Sequence, residues 1–274
     1  MLFKYIAGNK FKHALQVSNY ILNKNKIPII NFAIESNYPK PLINKEFSNI
    51  INNIDSNIKI SFKLSLFDYN IDILNPIIEK LIFKNVKILI DAENANNYKK
   101  YSVATNNLID TFNRDSINIY KTYQMTRTDS YDELMEDTIK FDNLGIKMVR
   151  GAYYNEDKDK VNNGLPVLYQ NKFETDSNYN KAIIYLSENY ENKSIILATH
   201  NKESIKLGYN FNCYKNKNIF EFAHLMGMNQ NYYKFLINQN YCVNVYIPYG
   251  PYKYTIPYLT RRLYENLDYL KYMY

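Results

Sequence analysis

Ile146-Lys147-Met148-Val149-Arg150-Gly151-Ala152-Tyr153 is a short apolar run that carries a lysine inside it, ends on an arginine and breaks at a glycine. Short apolar runs bounded by turn residues read as buried strands. Upstream, Tyr131, Leu134, Met135 and Ile139 recur at helical spacing, and Ser130-x-x-Glu133 has the form of a capping box. Downstream, residues 154–173 are polar, with Gly164 and Pro166, and read as a long loop before a helix around 176–190. The alternation extends in both directions. Further strands are expected at 27–34, 58–65, 86–93, 117–124, 194–201, 219–224 and 241–246, with helices between them. An amphipathic helix carrying Phe11, Ala14, Leu15, Ser18, Ile21 and Leu22 comes first. Short strands spaced by single helices imply parallel pairing through crossover helices, and eight such units imply closure. The expected fold is an α/β, TIM-like (βα)8 barrel with an N-terminal helix. No repeat or low-complexity linker divides residues 1–274, so one domain is expected.

A length of 274 residues suits such a barrel. Hydrophobic residues make up 46%, with 29 Tyr and no Trp, and no apolar run approaches the ~18 residues of a membrane span. The formal charge of +7 suits an anionic cofactor, a membrane surface or nucleic acid, but the basic residues are dispersed, so nucleic acid is not the expected partner. Cys213 and Cys242 have no metal spacing and fit a reduced, intracellular protein. With only His13, His200 and His224 available, no metal site is expected. The N-terminus is poor in acids but also lacks arginine, and it reads as a structural helix and not as a targeting segment.

The polar residues fall in a pattern. Lys63, Asp91, Gln124, Arg150, His200 and Tyr246 each lie at or just past the C-terminal end of an expected strand. In a (βα)8 barrel those ends surround the mouth where active sites lie. Lys63 and Asp91 also have the simpler option of pairing with each other. The last expected helix starts near Thr255, a capping residue, with Pro257 in the first turn. Leu259, Leu263, Leu267 and Leu270 form its apolar stripe, and Tyr258, Arg261, Arg262 and Glu265 share a flanking face. Two guanidiniums beside a phenol make a clamp for a carboxylate, where a solvated helix end is the plainer alternative.

Several segments together resemble the proline dehydrogenases, FAD-dependent enzymes that begin proline breakdown. The segments are Asp91-Ala92-Glu93, Lys147-Met-Val-Arg150-Gly151-Ala152-Tyr153, Ala198-Thr199-His200-Asn201, Tyr246-x-Pro-Tyr-Gly250 and Tyr258-x-x-Arg261-Arg262. The resemblance covers residues 5–270 in the family's order. It implies oxidation of L-proline to Δ1-pyrroline-5-carboxylate with FAD as cofactor and a membrane quinone as acceptor. No G-x-G-x-x-G occurs among the seven glycines, in keeping with FAD bound outside a Rossmann fold. By position, Ala92, Gln124, Lys147, Arg150, Gly151, Ala152, Thr199 and His200 would contact FAD. Lys63, Arg261 and Arg262 would hold the proline carboxylate, and Tyr153, Leu225, Tyr246 and Tyr258 would wall the ring. Asp91 and Lys147 would be the catalytic pair, with Asp91 orienting the cluster. No stable partner protein is implied. Membrane association and a mitochondrial address both stay open. A 4-hydroxyproline dehydrogenase and a non-catalytic flavin- or proline-binding regulator are the alternatives. His224 departs from the family's F-x-Q-L-x-G-M motif, with expected consequences near the ring or the flavin. The extra N-terminal helices of many relatives and the second, aldehyde-oxidising domain of bifunctional ones are not expected.

Overall fold

The computed structural model of the chain describes residues 4–34, 38–158, 167–228 and 230–265. Eight parallel strands close into a barrel in sequence order, β1 (Ile27–Phe32), β2 (Lys59–Phe62), β3 (Ile88–Ile90), β4 (Ile119–Gln124), β5 (Leu144–Val149), β6 (Lys193–Ala198), β7 (Phe220–Leu225) and β8 (Val243–Tyr249). The helices alternate with them. Before β4 come α1 (Phe11–Leu22), α2 (Lys40–Asn53), α3 (Ile71–Phe83) and α4 (Ala95–Phe112). After it come α5 (Ser130–Lys140), α6 (Tyr154–Asp157), α7 (Lys172–Glu188), α8 (Lys202–Lys215), α9 (Gln230–Asn238) and α10 (Tyr252–Glu265). All eight expected strands are present.

Asparagine does much of the local work. Asn70, Asn94, Asn171 and Asn201 each accept a backbone N–H from the first turn of α3, α4, α7 and α8. Asn25, Asn85, Asn192, Asn216 and Asn240 have φ between 50° and 60° and turn the chain from a helix toward the next strand. That left-handed conformation usually falls to glycine, and asparagine is the commonest substitute.

The residues divide into two compact units, one running up to Leu89 and resuming at Ala223, the other Ile90–Phe222. In the first, β1 pairs with β2 and β8, so that Ile29 is opposite both Lys59 and Tyr246. Tyr249 stacks on Phe32 at 5.3 Å, and its hydroxyl donates to Glu46 at 3.0 Å. Phe47, Phe62 and Phe67 pack edge to face. In the second unit β5 lies between β4 and β6. Gly145 is paired with Tyr120, and a Cβ there would stand 2.5 Å from the Ile119 carbonyl oxygen and 2.7 Å from the Tyr120 ring. Its absence lets Tyr120 reach Ser194 on β6 at 2.8 Å.

Three local expectations need correction. Ser130 is not a cap: Asp129 precedes the helix, the Ser130 hydroxyl donates to the Arg127 carbonyl, and Glu133 is drawn to Lys121. Thr255 lies inside α10, donating to the carbonyls of Gly250 and Pro251, and Pro257 is in the helix interior. Pro251, with its fixed φ, sets the helix entry instead. The described part of 154–173 is not plain loop, because it holds α6, a bridge between Arg127 and Leu168, and the start of α7 at Lys172.

A charge cluster is buried between β4 and the helices α4 and α5. The Lys121 ammonium lies 2.5 Å from Asp137 and 2.9 Å from Glu133, and donates to Asn106 and Ser102. Burial alone would push the Glu133 carboxyl up, but Lys121, Tyr98 and Arg127 outweigh it and hold the group below its ordinary value. Lys121→Met strands two carboxylates, and a loss of about 3–5 kcal/mol in urea unfolding is expected. Because the folded value of Glu133 is depressed, its contribution is present above the unfolded carboxylate value. Wild-type stability should therefore fall as pH drops through the folded value, and Glu133→Gln should flatten that part of the curve.

Candidate active site

Asp91 follows β3 and Lys147 lies in β5, one strand beyond β4. The Lys147 ammonium reaches the Asp91 carboxylate at 2.6 Å, and both side chains are largely buried. Thr122 on β4, paired in register with Lys147, donates its hydroxyl to the Ile90 carbonyl at 2.6 Å. Gln124, the last residue of β4, donates to the Glu93 carbonyl at 2.9 Å and accepts the Ala152 N–H at 3.3 Å. Gly151 has φ +147°, and a Cβ there would come within 2.4 Å of Thr126. Glycine is therefore required by backbone conformation and by space.

Arg150 follows β5 and anchors a second array. It donates to Asp176 at 2.5 Å, to Thr199 at 2.5 Å and to Ser204 at 3.0 Å, and its guanidinium lies 4.5 Å from the Tyr179 ring centre. Asp176 also meets Lys172 and Asn201. Burial, and then the charge of Arg150, lower the His200 pKa to about 4. At neutral pH His200 is thus an uncharged imidazole beside a permanent cation.

In the other unit Lys63 is buried just past β2. Tyr246 lies in the middle of β8, three residues short of the strand's end, and not at its end as expected; its hydroxyl bonds to Ser61 across β1. Leu225 ends β7, and His224 before it stacks on Tyr233 of α9 at 4.2 Å, its Nδ1 2.9 Å from the Leu225 carbonyl. His224 is therefore a helix-packing residue. The backbone of α10 is described through Glu265, and Leu259 packs with Ile6 and Ala33. The side chains of Tyr258, Arg261, Arg262 and Leu263, and the positions Leu267 and Leu270, lie outside the described residues.

Strand position thus brings together Asp91 with Lys147, Gln124 with Ala152, and Arg150 with Thr199 and His200. Sequence reasoning missed Asp176, Ser204 and Asn180, which complete the Arg150 array from helices, with Ser204 donating to Asn180 at 2.6 Å. They carry no motif, and only folding brings them to the arginine. Among the described residues no group of His, Cys, Asp and Glu is arranged to hold a metal, and no helix is long and apolar enough to cross a membrane.

A closed parallel eight-stranded barrel with polar side chains at or just past consecutive strand ends, Asp91, Gln124, Arg150 and Thr199, defines a (βα)8 protein with its candidate site where such barrels carry theirs. Residues 29–273 match the proline dehydrogenase family model, and the chain belongs to that family. It is 28% identical over 276 residues to proline dehydrogenase 1, mitochondrial, of Dictyostelium discoideum, covering 93% of this chain and 46% of that protein. It is 34% identical over 201 residues to proline dehydrogenase 2, mitochondrial, of Arabidopsis thaliana, covering 66% and 41%. A third relative is the carbapenem antibiotics biosynthesis protein CarD of Pectobacterium carotovorum subsp. carotovorum, at 31% over 188 residues, covering 66% and 48%. The chain spans less than half the length of these relatives. Among solved structures it resembles proline utilization A from Bdellovibrio bacteriovorus inactivated by N-propargylglycine, with TM-score 0.83, 22% identity, and coverage of 96% of this chain and 32% of that one. At that identity the likeness concerns the fold.

The lowered His200 pKa has a measurable consequence. An unfolded histidine binds a proton near pH ~6.5, whereas folded His200 resists it until about 4. Stability linked to His200 should be complete above the unfolded value and fall as pH drops from there toward 4. Proton NMR should show one imidazole titrating near 4, and His200→Gln should remove both that resonance and part of the pH slope.

Proposed function

We propose that the chain oxidises L-proline to Δ1-pyrroline-5-carboxylate with FAD as cofactor, acting as one domain over residues 1–274. The observation that carries the reading is the pairing of Lys147 with Asp91 beside the Arg150–Thr199 array, within segments that match the family motifs. The donor set fits an anionic cofactor. Three of the five Arg150 N–H donors are engaged by Asp176, Thr199 and Ser204. His200 is neutral and can offer a hydrogen bond without adding charge. Gly151 leaves its backbone open where a side chain would crowd it.

In this reading Ala92, Gln124, Lys147, Arg150, Gly151, Ala152, Thr199 and His200 hold FAD. Bound FAD would supply the acceptor for the hydride that leaves the carbon next to the proline amine. Lys147 and Arg150 contribute positive charge toward the electrons that arrive, a fixed electrostatic contribution that needs no rearrangement. Asp91 fixes the Lys147 ammonium and keeps it from turning away. Lys63, Arg261 and Arg262 bind the substrate carboxylate, since a carboxylate taken out of water must be paired. Tyr153, Leu225, Tyr246 and Tyr258 exclude water from the ring. The amine must be neutral before hydride loss, so the rate should rise with pH through amine deprotonation. A membrane quinone is the expected acceptor of the electrons, and no stable protein partner is needed.

The direct test is the absorbance spectrum of the purified protein. Flavin bands that bleach on anaerobic addition of L-proline are expected; protein that stays colourless after incubation with FAD, with no fluorescence change, would overturn the reading. Arg261→Ala and Arg262→Ala should each raise KM for proline, by a factor corresponding to about 2–5 kcal/mol, with FAD content nearly unchanged. Wild-type KM in either variant would leave that arginine a solvated helix residue.

The second reading is oxidation of 4-hydroxyproline. It is favoured by 28% identity over 216 residues to hydroxyproline dehydrogenase of Xenopus laevis, covering 72% of this chain and 46% of that protein. Tyr258 decides between the two. One helical turn before Arg261 and Arg262, a phenol would occupy the space needed by a 4-hydroxyl. Selectivity for L-proline on the order of 10²-fold in kcat/KM is expected, narrowing in Tyr258→Ser. Equal efficiency on both substrates would remove the steric argument.

A further inference from the structure

Asp157 ends the short helix α6, six residues past Gly151, and is buried although it is an acid. One of its carboxylate oxygens accepts the backbone N–H of Ala95 at 2.9 Å. Ala95 is the first residue of α4, 62 residues earlier in the chain. The first turn of a helix leaves N–H groups without helical partners, and a carboxylate there also meets the positive end of the helix dipole. Asn94, the local cap, accepts the Asn97 N–H, so Asp157 answers a different group of the same turn.

The tie is rigid at its other end. The Asp157 N–H donates to the Tyr153 carbonyl at 2.9 Å, and the Glu156 N–H donates to the same carbonyl at 3.0 Å. Two hydrogen bonds therefore lead from Ala95 through Asp157 to Tyr153. Gln124 joins the same two segments a few residues away, from the Glu93 carbonyl to the Ala152 N–H. Glu93, Ala95, Gln124, Tyr153 and Asp157 line one small cavity. Gly151, with φ +147°, is where the chain turns out of β5 toward α6. A glycine sets few steric limits of its own on the backbone, so contacts on either side of it fix the path of the connection.

We propose that Asp157 is a positioning residue: by accepting the Ala95 amide it holds the loop after β5, and with it Tyr153, in fixed relation to the Asp91–Glu93 strand end. Its consequence for catalysis rests on the reading given under Proposed function, in which Ala92 lies beside the cofactor and Tyr153 walls the ring.

The test is a double-mutant cycle with a structural readout beside it. Asp157→Ala should raise KM for L-proline about tenfold with kcat changed by less than about threefold, because the loop still samples the working geometry. In a Tyr153→Ala background the same change should have almost no further effect on KM. Coupling of that kind marks residues acting through one another, whereas a residue that only supports the fold gives independent effects. Asp157→Asn keeps an oxygen acceptor for the amide and should recover most of the wild-type KM. If Asp157→Ala does not fold, Asp157→Ser, whose short hydroxyl does not reach Ala95, goes through the same cycle. Hydrogen exchange on protein without proline should show faster exchange at Ala95 and across residues 151–157 in the Ala variant, with β4 and β5 still protected. Unchanged exchange overturns the tie. Changed exchange with independent KM effects overturns the positioning role. A wild-type protein that exchanges as described but neither binds FAD nor oxidises proline overturns the functional reading and leaves the tie standing.

Discussion

Arg150 leaves the end of β5 with its guanidinium largely out of water, and an arginine cannot shed its charge by losing a proton. Much of the Ile90–Phe222 unit is arranged by that constraint. Asp176 on α7 supplies the countercharge, Thr199 after β6 and Ser204 on α8 accept its other hydrogen bonds, and the Tyr179 ring offers its face. One side chain thereby ties together a strand end, a connection and two helices. Such an array adds little net stability, because desolvating the ion offsets the attraction. What it does is fix position, and the Arg150 charge adds to the burial that chiefly lowers the pKa of neighbouring His200.

Lys121 and Lys147, two of the strand lysines of this unit, show how the period of a strand sorts charges. On β4, Lys121 and Tyr123 point toward the helices and meet Asp137, whereas Tyr120, Thr122 and Gln124 point the opposite way. Register pairs Tyr120 with Gly145 and Thr122 with Lys147, so Lys147 emerges on the face that carries Asp91. Alternation is the whole difference between a lysine buried for structure and one aligned with the candidate site. Slipping a strand by one residue would turn its lysine to the opposite face.

The barrel was legible because its strands are nearly continuous apolar runs, which parallel strands buried on both faces must be. Boundaries were less so. The run 241–246 continues through Ile247, Pro248 and Tyr249, which moves Tyr246 from the strand's end to its middle. The abundant asparagines read as coding bias, yet among the described residues four cap helices and five take a left-handed turn. Candidate residues stood out in the sequence where a motif carried them, as with Asp91, Lys147, Arg150 and His200, or where one ended an expected strand, as with Gln124. Their supports were not. Asp176 and Ser204 come from helices distant in sequence, and Asp157 looks like one acid in a polar stretch until the chain turns it onto the Ala95 amide. Supports of this kind are chosen by three-dimensional proximity, which leaves no spacing to read.

His224 shows what a departure from a family motif means once faces are assigned. Its ring stacks on Tyr233, whose hydroxyl donates to the Ala223 carbonyl at 3.2 Å. That contact directs position 224 toward α9. Because side chains alternate along a strand, Ala223 and Leu225 face away from α9. An imidazole in place of an amide therefore changes how β7 packs on its helix, where a flat ring can stack on a phenol and an amide cannot do so as well. The neighbouring position, which the functional reading assigns to the substrate ring, keeps its leucine. The departure is confined to the outer face of the strand, so the sequence pattern of the family and the proposed chemistry are compatible at this point of the chain.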